Sequence, residues 1–532
     1  MQQRNIQLLN GQLARLAPAL LIALVAAGSA SAATLSVGPG KTYAAPCAAI
    51  GAAKDGDIVE IVGNKTYKGD VCGIYANNLT VRGVNGRPVI DANGANSMGK
   101  GIWVVVGNNV TVENVEMMGA KVPDQNGAAL RLQGTGFTLR QSFLHDNQNG
   151  ILTSANTASD ILIEYSEFGH NGFGDGYTHN LYIGNVKSLT FRYNYSHDAN
   201  VGHNLKSRAL VNTIYNNRFS STGAGKPSYE IDLPNAGTSY VIGNVIEQPA
   251  SNSNPNILAY GEEGASNPGK DLYVVNNTFL NDSGSGGTFV MVGSAVTTPV
   301  LLQNNVFAGV GTMINQSNAT LKTNYSAAAP AFVDRANYDL RPAANAPMIN
   351  AGSVPGNALT GFALAPIAQY KHAASGETRT SVGTIDIGAY ESSSTAAPSA
   401  PAATWTACAS ENGTCSFSGT REVRYGSGTT FVSKTATGSI ACSNAVFGDP
   451  TPNKVKSCSY SSETSAAPAV TWTTCSGENG TCSFSGTRDV RYGAGSSFAT
   501  KTFTGSAACS NAVFGDPIYG VAKTCSYSSA TK

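Results

Sequence analysis

Five of the six histidines fall between residues 145 and 203: His145, His170, His179, His197 and His203, with His372 far behind them. Two stretches of that region are near copies, His179-Asn-Leu-Tyr-Ile and His203-Asn-Leu-Lys-Ser-Arg, and Tyr229-Glu-Ile-Asp-Leu follows as a looser third. Apolar and polar residues alternate in all three, the pattern of a strand with two unlike faces. Leu181, Ile183, Leu205, Ile231 and Leu233 are expected to point inward. Asn180, Tyr182, Asn204, Lys206, Arg208, Glu230 and Asp232 are expected to point outward. If the segments stack as neighbouring strands, about 4.8 Å apart, the outward residues form two ladders. One is Asn180, Asn204, Glu230; the other is Tyr182, Lys206, Asp232, with Arg208 one step along.

A wall bearing a phenol, an ammonium, a guanidinium and carboxylates is equipped for β-elimination on a uronic-acid polymer. That reaction needs a base for the C5 proton, a cation or metal on the adjoining carboxylate, and an acid for the leaving oxygen. Lys206 is the expected base, its pKa lowered by Arg208 and by partial desolvation. Arg208 is alternatively the fork that holds the carboxylate. Tyr182, His179 or His203 is the expected acid, and Asn180 and Asn204 are expected to bind substrate. Glu230 and Asp232, with Asn204, offer the oxygen ligands that Ca²⁺ takes, and calcium is the one cofactor expected. Plainer readings compete. Lys206 and Arg208 also suit a solvated ladder paired with Asp232. His179 and His203 also suit stacked corner residues, and His145-Asp146 and His197-Asp198 suit turns with local bonds.

Such ladders need a scaffold that repeats. From about residue 33 to 391 the chain carries a repeat of roughly 23 to 30 residues, too short for a helix-containing unit. Examples are Leu79-Thr-Val-Arg, Val110-Thr-Val-Glu-Asn-Val, Phe137-Thr-Leu-Arg-Gln-Ser-Phe, Leu189-Thr-Phe-Arg-Tyr-Asn, Val241-Ile-Gly-Asn-Val-Ile and Leu301-Leu-Gln-Asn-Asn-Val-Phe. Each is read as one coil of an all-β solenoid, a right-handed parallel β-helix whose stacked coils share a core. The recurrent Asn pairs are expected at the turns. Residues 43–53 suit a helical cap, stapled to the first coil by Cys47 and Cys72.

At the N-terminus, Arg4 and Arg15, the apolar run Leu16 to Ala27 and Ala30-Ser31-Ala32 form an export signal, cut to leave a chain beginning at Ala33. Ten cysteines suit an exported protein. Eight fall in two sets, Cys408, Cys415, Cys442 and Cys458, then Cys475, Cys482, Cys509 and Cys525, each 67 residues after its counterpart. Disulfides are expected, with the pairing inside each set open. The sets mark two modules, 404–460 and 471–528, entered by Ser/Ala/Pro linkers at 392–403 and 461–470. Each is expected to be a small β domain held by its disulfides. Trp405 and Trp472 occupy matched positions, from which each can stack on a sugar or fill a small core.

Gly38-Pro-Gly-Lys-Thr-Tyr, Lys54-Asp-Gly-Asp-Ile-Val and Leu79-Thr-Val-Arg-Gly-Val resemble the opening of pectate-lyase-like β-helix proteins, and the stretch from Pro330-Ala-Phe-Val-Asp to Asp386-Ile-Gly-Ala-Tyr-Glu resembles their closing segment. The stretch from Asn204-Leu-Lys-Ser-Arg to Asn217-Arg-Phe resembles the lysine-bearing coil of the alginate lyase and chondroitinase B family, which implies Lys206 as the base. The arginine that serves that family as acid one coil later has no match here, where the chain reads Glu230-Ile-Asp-Leu. The C-terminal pair looks like Cys-rich modules appended to secreted glycan-active enzymes.

The chain is therefore expected to be an extracellular polysaccharide lyase, with the periplasm as the other exported location. The competing readings are a glycoside hydrolase using the Glu230 and Asp232 carboxylates, and a noncatalytic glycan-binding adhesin. The expected partners are an acidic polysaccharide and, through the modules, a wall or matrix glycan. With 34 Lys plus Arg against 33 Asp plus Glu, no general pull toward nucleic acid or membrane is expected. A monomer is expected.

Overall fold

The computed structural model describes residues 32–221, 225–284, 286–392, 405–428, 430–452, 454–461, 472–494, 497–518 and 520–531. The expected export signal and both linkers lie outside the described residues, apart from single residues at their edges. The chain divides into two units, Met1–Ser399 and Ala400–Lys532.

In the first unit the repeats wind through three parallel sheets in rotation. The first has twelve strands, from Thr34–Val37 to Thr320–Lys322. The second has eleven, from Thr66–Lys68 to Tyr325–Ala327. The third has ten, from Cys72–Ile74 to Thr312–Ile314. This is the expected parallel β-helix. Its core follows from alternation held in register. In the first sheet Val81, Val112, Leu139, Ile163, Phe191, Ile214, Val241, Val274 and Leu302 lie one above another, all sealed from solvent. Each such side chain contributes roughly 1.5–3 kcal/mol of burial, available only when a neighbouring coil covers it.

The Asn pairs do turn the chain, and their second members do more. Asn216, Asn276 and Asn304 adopt left-handed backbone at the corner between the first and second sheets. The residue after each points inward and joins a continuous ladder. Asn194, Asn217, Asn244, Asn277 and Asn305 each accept a bond from the backbone N–H of the preceding rung and donate their own amide to interior carbonyls, at 2.8–2.9 Å. The ladder satisfies backbone groups that the corner would otherwise leave unpaired in a dry interior.

The helix Pro46–Ala52 covers the N-terminal end with Pro46, Ala49 and Ile50, and Cys47 is bonded to Cys72 in the first strand of the third sheet. The segment after the last coil runs back along the outside. Ala358 and Leu364 pack on Tyr240 and Tyr273, and Asn276 donates to the Asp386 carbonyl.

The second unit holds two copies of one four-stranded antiparallel sheet, Trp405–Ser410 to Ser457–Ser461 and Trp472–Gly477 to Thr524–Thr531. The disulfides are Cys408–Cys415, Cys442–Cys458, Cys475–Cys482 and Cys509–Cys525. Bonds of this kind persist in oxidising compartments, as outside the cell.

Candidate functional site

The near-copy stretches are the strands Leu181–Ile183, Leu205–Ser207 and Ile231–Leu233 of the third sheet. Tyr182 is in register with Lys206, and Lys206 with Asp232. Leu181, Ile183, Leu205, Ile231 and Leu233 belong to the core, so the Tyr182–Lys206–Asp232 ladder lies on the outward face as alternation requires.

One side chain from a neighbouring coil covers part of that face. The turn after Leu258–Tyr260 is held to the coil before it by bonds from Gly261 N to the Leu233 carbonyl and from Glu263 N to the Pro234 carbonyl. From this turn the Glu263 carboxylate bridges two cations. Its Oε1 accepts from Lys206 Nζ at 2.7 Å and its Oε2 from Arg208 Nη2 at 2.5 Å. Lys206 also donates to Asp232 Oδ2 at 2.7 Å. Arg208 donates from Nε to Tyr182 Oη at 2.8 Å and from Nη1 to Asn235. The side chain of Lys206 is only 9% exposed, whereas that of Glu263 is 47% exposed.

These contacts set the charges. Burial alone would lower the Lys206 amine, but Asp232 and Glu263 outweigh it and the pKa is raised. The expected lowering by Arg208 is thus not found, because two carboxylates sit closer to the amine's charge than that guanidinium does in effect. Lys206 is an ammonium ion. Burial pushes Asp232 up to about 6 against the pull of Lys206. Burial acts the same way on Glu263, but Lys206 and Arg208 win and hold it below the usual range.

His179 and His203 are the stacked corner pair, with ring centroids 4.6 Å apart. His179 Nδ1 accepts from His203 N at 3.0 Å, and His203 Nδ1 accepts from Tyr229 N at 3.1 Å. Burial and the Lys206 charge drive His179 down to about 3; burial, with His179 and Lys206 beside it, drives His203 well below its usual value. Both rings are neutral, with the proton on Nε2. His203 Nε2 lies 3.4 Å from Asp232 Oδ2.

The other expected ladder is on the wrong side of the wall. Asn180, Asn204 and Glu230 point inward. Asn180 Nδ2 donates to Asn204 Oδ1 at 2.8 Å and Asn204 Nδ2 to Glu230 Oε2 at 2.5 Å, with Ser196 of the second sheet alongside. Each of the three residues stands just before its strand, where the chain turns between sheets, and period-two parity does not carry through a turn. Asn180 and Asn204 therefore do not reach a substrate. Glu230 is sealed from solvent, and burial pushes its carboxyl well above the usual range. The expected calcium pair, Glu230 and Asp232, is not brought together. One carboxyl is inside the wall, with Asn204, and the other is held by Lys206 outside it. The same separation removes the carboxylate pair that a hydrolase at this position needs.

No family model matches the chain. Among solved structures it is similar to the crystal structure of pectate lyase Pel9A, with a TM-score of 0.45 and 16% identity over 65% of this chain and 90% of that one. It is also similar to ORF18 of Geobacillus virus E2, with a TM-score of 0.33 and 16% identity, over 53% of this chain and 56% of that one. These are likenesses of chain course, and the chemistry of the site stands on its own residues.

Glu263 and Asn235 are the members of the cluster that alternation does not reveal, since both sit in turns. The signal available was position: Asn235 and Glu263 follow the strands Ile231–Leu233 and Leu258–Tyr260 by two and three residues, at the same corner of successive coils. From Asp232 the outward column continues through Ala259 and Met291 beside a cleft of about 460 Å³, lined by Glu262, Met291, Ser294, Asn315 and Gln316. A larger cleft, about 640 Å³, lies on the first sheet around Thr138 and Arg192. There Arg192 is already paired with Glu164 at 2.6 Å, so chemistry does not follow size.

Two of the remaining histidines are clamped. His145 sits between Asp146 at 2.6 Å and Glu116 at 3.2 Å, and His197 between Asp198 at 2.7 Å and Glu167 at 3.1 Å. His170, His197 and Asp198 bring ligand atoms within 4.8 Å of one another. Burial would lower the His197 imidazole, but the two carboxylates raise it, and each ring nitrogen is already engaged by one of them. In the C-terminal modules Arg424 lies 4.4 Å from the Trp405 ring centre and 4.4 Å from that of Phe431; Arg491 repeats this with Trp472 at 4.7 Å and Phe498 at 4.4 Å. One face of each tryptophan is therefore taken by a guanidinium.

Proposed function

We propose that this protein is an exported polysaccharide lyase whose Lys206 and Arg208 form a clamp for the carboxylate of a uronic-acid residue. One observation supports the reading above the others: a carboxylate, that of Glu263, already bridges Lys206 Nζ and Arg208 Nη2 and is half exposed. A uronate carboxylate has the same charge and the same two oxygens. In Glu263's place it would be neutralised by two desolvated cations, the condition that makes the neighbouring C5 proton removable. Tyr182 accepts from Arg208 through its hydroxyl oxygen and keeps its own proton, which it gives to the leaving oxygen. The C5 proton passes to the Asp232 carboxylate beside the clamp, ionised at neutral pH with a pKa of about 6. His203 and His179 act behind the clamp, as neutral supports of Asp232. The two C-terminal modules are glycan-binding units in this scheme, and two copies raise retention on a repetitive polymer. Their matched Arg–Trp stacks support it.

The test is a panel of uronate polymers incubated with wild type, Lys206→Ala and Tyr182→Phe, with and without chelator. The expected result is unsaturated, ultraviolet-absorbing product from at least one polymer with wild type, a loss of at least about 100-fold in each variant, and no effect of chelator. New reducing ends without unsaturation would replace this reading with a hydrolase. Retention of polymer with no product would replace it with an adhesin.

A further inference from the structure

Arg131 lies on the strand Ala128–Leu132 between Leu130 and Leu132, both in the core, so its side chain is on the outward face of the third sheet. Register carries it to the clamp. Arg131 pairs with Leu152, Leu152 with Tyr182, and Tyr182 with Lys206. The guanidinium thus stands three coils from Lys206 in the same column, about 14 Å at the usual strand spacing.

Arg131 differs from the other arginines of the helix wall. Arg82 is paired with Glu60, Arg140 with Glu113 and Glu164, and Arg192 with Glu164. Arg87 and Arg218 have no ion pair among the described residues, but each donates a hydrogen bond, to the Gln141 carbonyl and to Ser220. Arg131 is partly buried, its Nε is sealed from water with no hydrogen-bond partner, and among the described residues it has no carboxylate in ion-pair reach. Withdrawing a guanidinium from water without a counter-charge costs stability. A cation kept at that cost, in line with a two-cation clamp, is a site waiting for an anion. Between the two, Leu152 and Tyr182 supply a half-buried floor on which sugar faces can lie.

We propose that Arg131 is a second carboxylate subsite, and that the ligand of this wall is a polyuronate lying along the coil axis with one carboxylate at Arg131 and another in the Lys206–Arg208 clamp. The proposal rests on the lyase reading above and adds to it a substrate length and a recurrence of charge. A disaccharide is too short to touch both sites, whereas a homopolymer of uronic acid places carboxylates all along the span.

The experiment measures unsaturated product from polygalacturonate, alginate and hyaluronate, and from a short uronate oligosaccharide of whichever polymer is cleaved. Arg131→Gln is expected to raise KM on the polymer about 10-fold, with kcat within twofold and KM on the short substrate unchanged. Arg131→Lys, which keeps the charge, is expected to restore most of the affinity. The thermal midpoint of Arg131→Gln is expected to be no lower than wild type, since an unpaired charge has been removed. If Arg131→Gln leaves the polymer KM unchanged while Arg208→Gln raises it, the second subsite is wrong and the clamp stands. Equal losses on long and short substrates, or a lowered midpoint, would make Arg131 structural and overturn the proposal. If wild type forms no unsaturated product from any polymer, the clamp fails and the subsite fails with it.

Discussion

Glu230 offers the sharpest test of the interior, because its carboxyl is inside the coil with nothing to neutralise it. It accepts one hydrogen bond, from Asn204 Nδ2, and its other oxygen has no partner. Burial holds the acid in its neutral form, while in the unfolded chain it ionises near its ordinary value of 4.5. Between 4.5 and neutrality the folded chain therefore binds one proton more than the unfolded chain, and stability falls as pH rises. By pH 7 that proton costs at most about 3 kcal/mol, the ceiling set by 1.36 kcal/mol for each pH unit above 4.5. Glu230→Gln keeps the shape and the acceptor for Asn204 but cannot ionise in either state. It should fold, match wild type near pH 4 and exceed it at pH 7. For roughly 360 ordered residues that ceiling corresponds to about 4 °C in thermal midpoint. The assay is thermal unfolding of both proteins from pH 4 to 8. A midpoint difference that does not change with pH, or a Gln variant less stable than wild type at pH 7, would mean that Glu230 is ionised and partnered, contrary to the geometry.

Other outcomes follow from the same cluster. Glu263→Gln removes the resident competitor from the clamp, so KM for a cleaved uronate polymer should fall about 3- to 10-fold, roughly the worth of one exposed ion pair with a hydrogen bond, with kcat little changed. The neutral His179 and His203 make stability depend on acid. Their folded pKa values lie below the unfolded value of 6.5, so the unfolded chain binds more protons as pH falls and stability is lost from about 6.5 downward. At pH 5 His179 alone accounts for about 2 kcal/mol, and His179→Gln should flatten the midpoint-against-pH curve between 6.5 and 5.

The architecture was legible because the repeat is enforced by burial. The column from Val81 to Leu302 needs an apolar residue at every crossing, and alternation around each follows. Within strands, alternation also placed Tyr182, Lys206 and Asp232 correctly on the outward face. It failed one residue earlier, at Asn180, Asn204 and Glu230, because a corner resets which way a side chain points. The Asn pairs announce turns in the sequence, whereas the second Asn of each becomes an interior rung only through the coils above and below it. Glu263 and Asn235 escaped for the complementary reason. They act from turns, which carry no periodicity, and what they touch is decided by neighbouring coils 55 residues away in sequence for Arg208 and Glu263. Resemblance carried Lys206 over as a base; its two carboxylate partners, which decide its charge, lie outside the stretch that resembles anything.

That charge decides what Lys206 can do in the proposed reaction. To act as a base it must first lose a proton, and the acceptor in contact with it is Asp232. The amine's pKa is raised and the carboxyl's lies near 6, so that transfer is uphill and leaves few molecules with a neutral amine. As an ammonium ion the same residue neutralises the substrate carboxylate at no such cost. The cation role is therefore the favoured one, and Lys206→Arg separates the two. Arginine keeps the charge and cannot serve as a base at neutral pH. If Lys206 is the cation, Lys206→Arg should retain activity well above Lys206→Ala, with the difference in kcat. Equal inactivity of the arginine and alanine variants, both folded by thermal unfolding, would return the base to position 206 and require a step that first strips Glu263 and Asp232 of their hold on the amine.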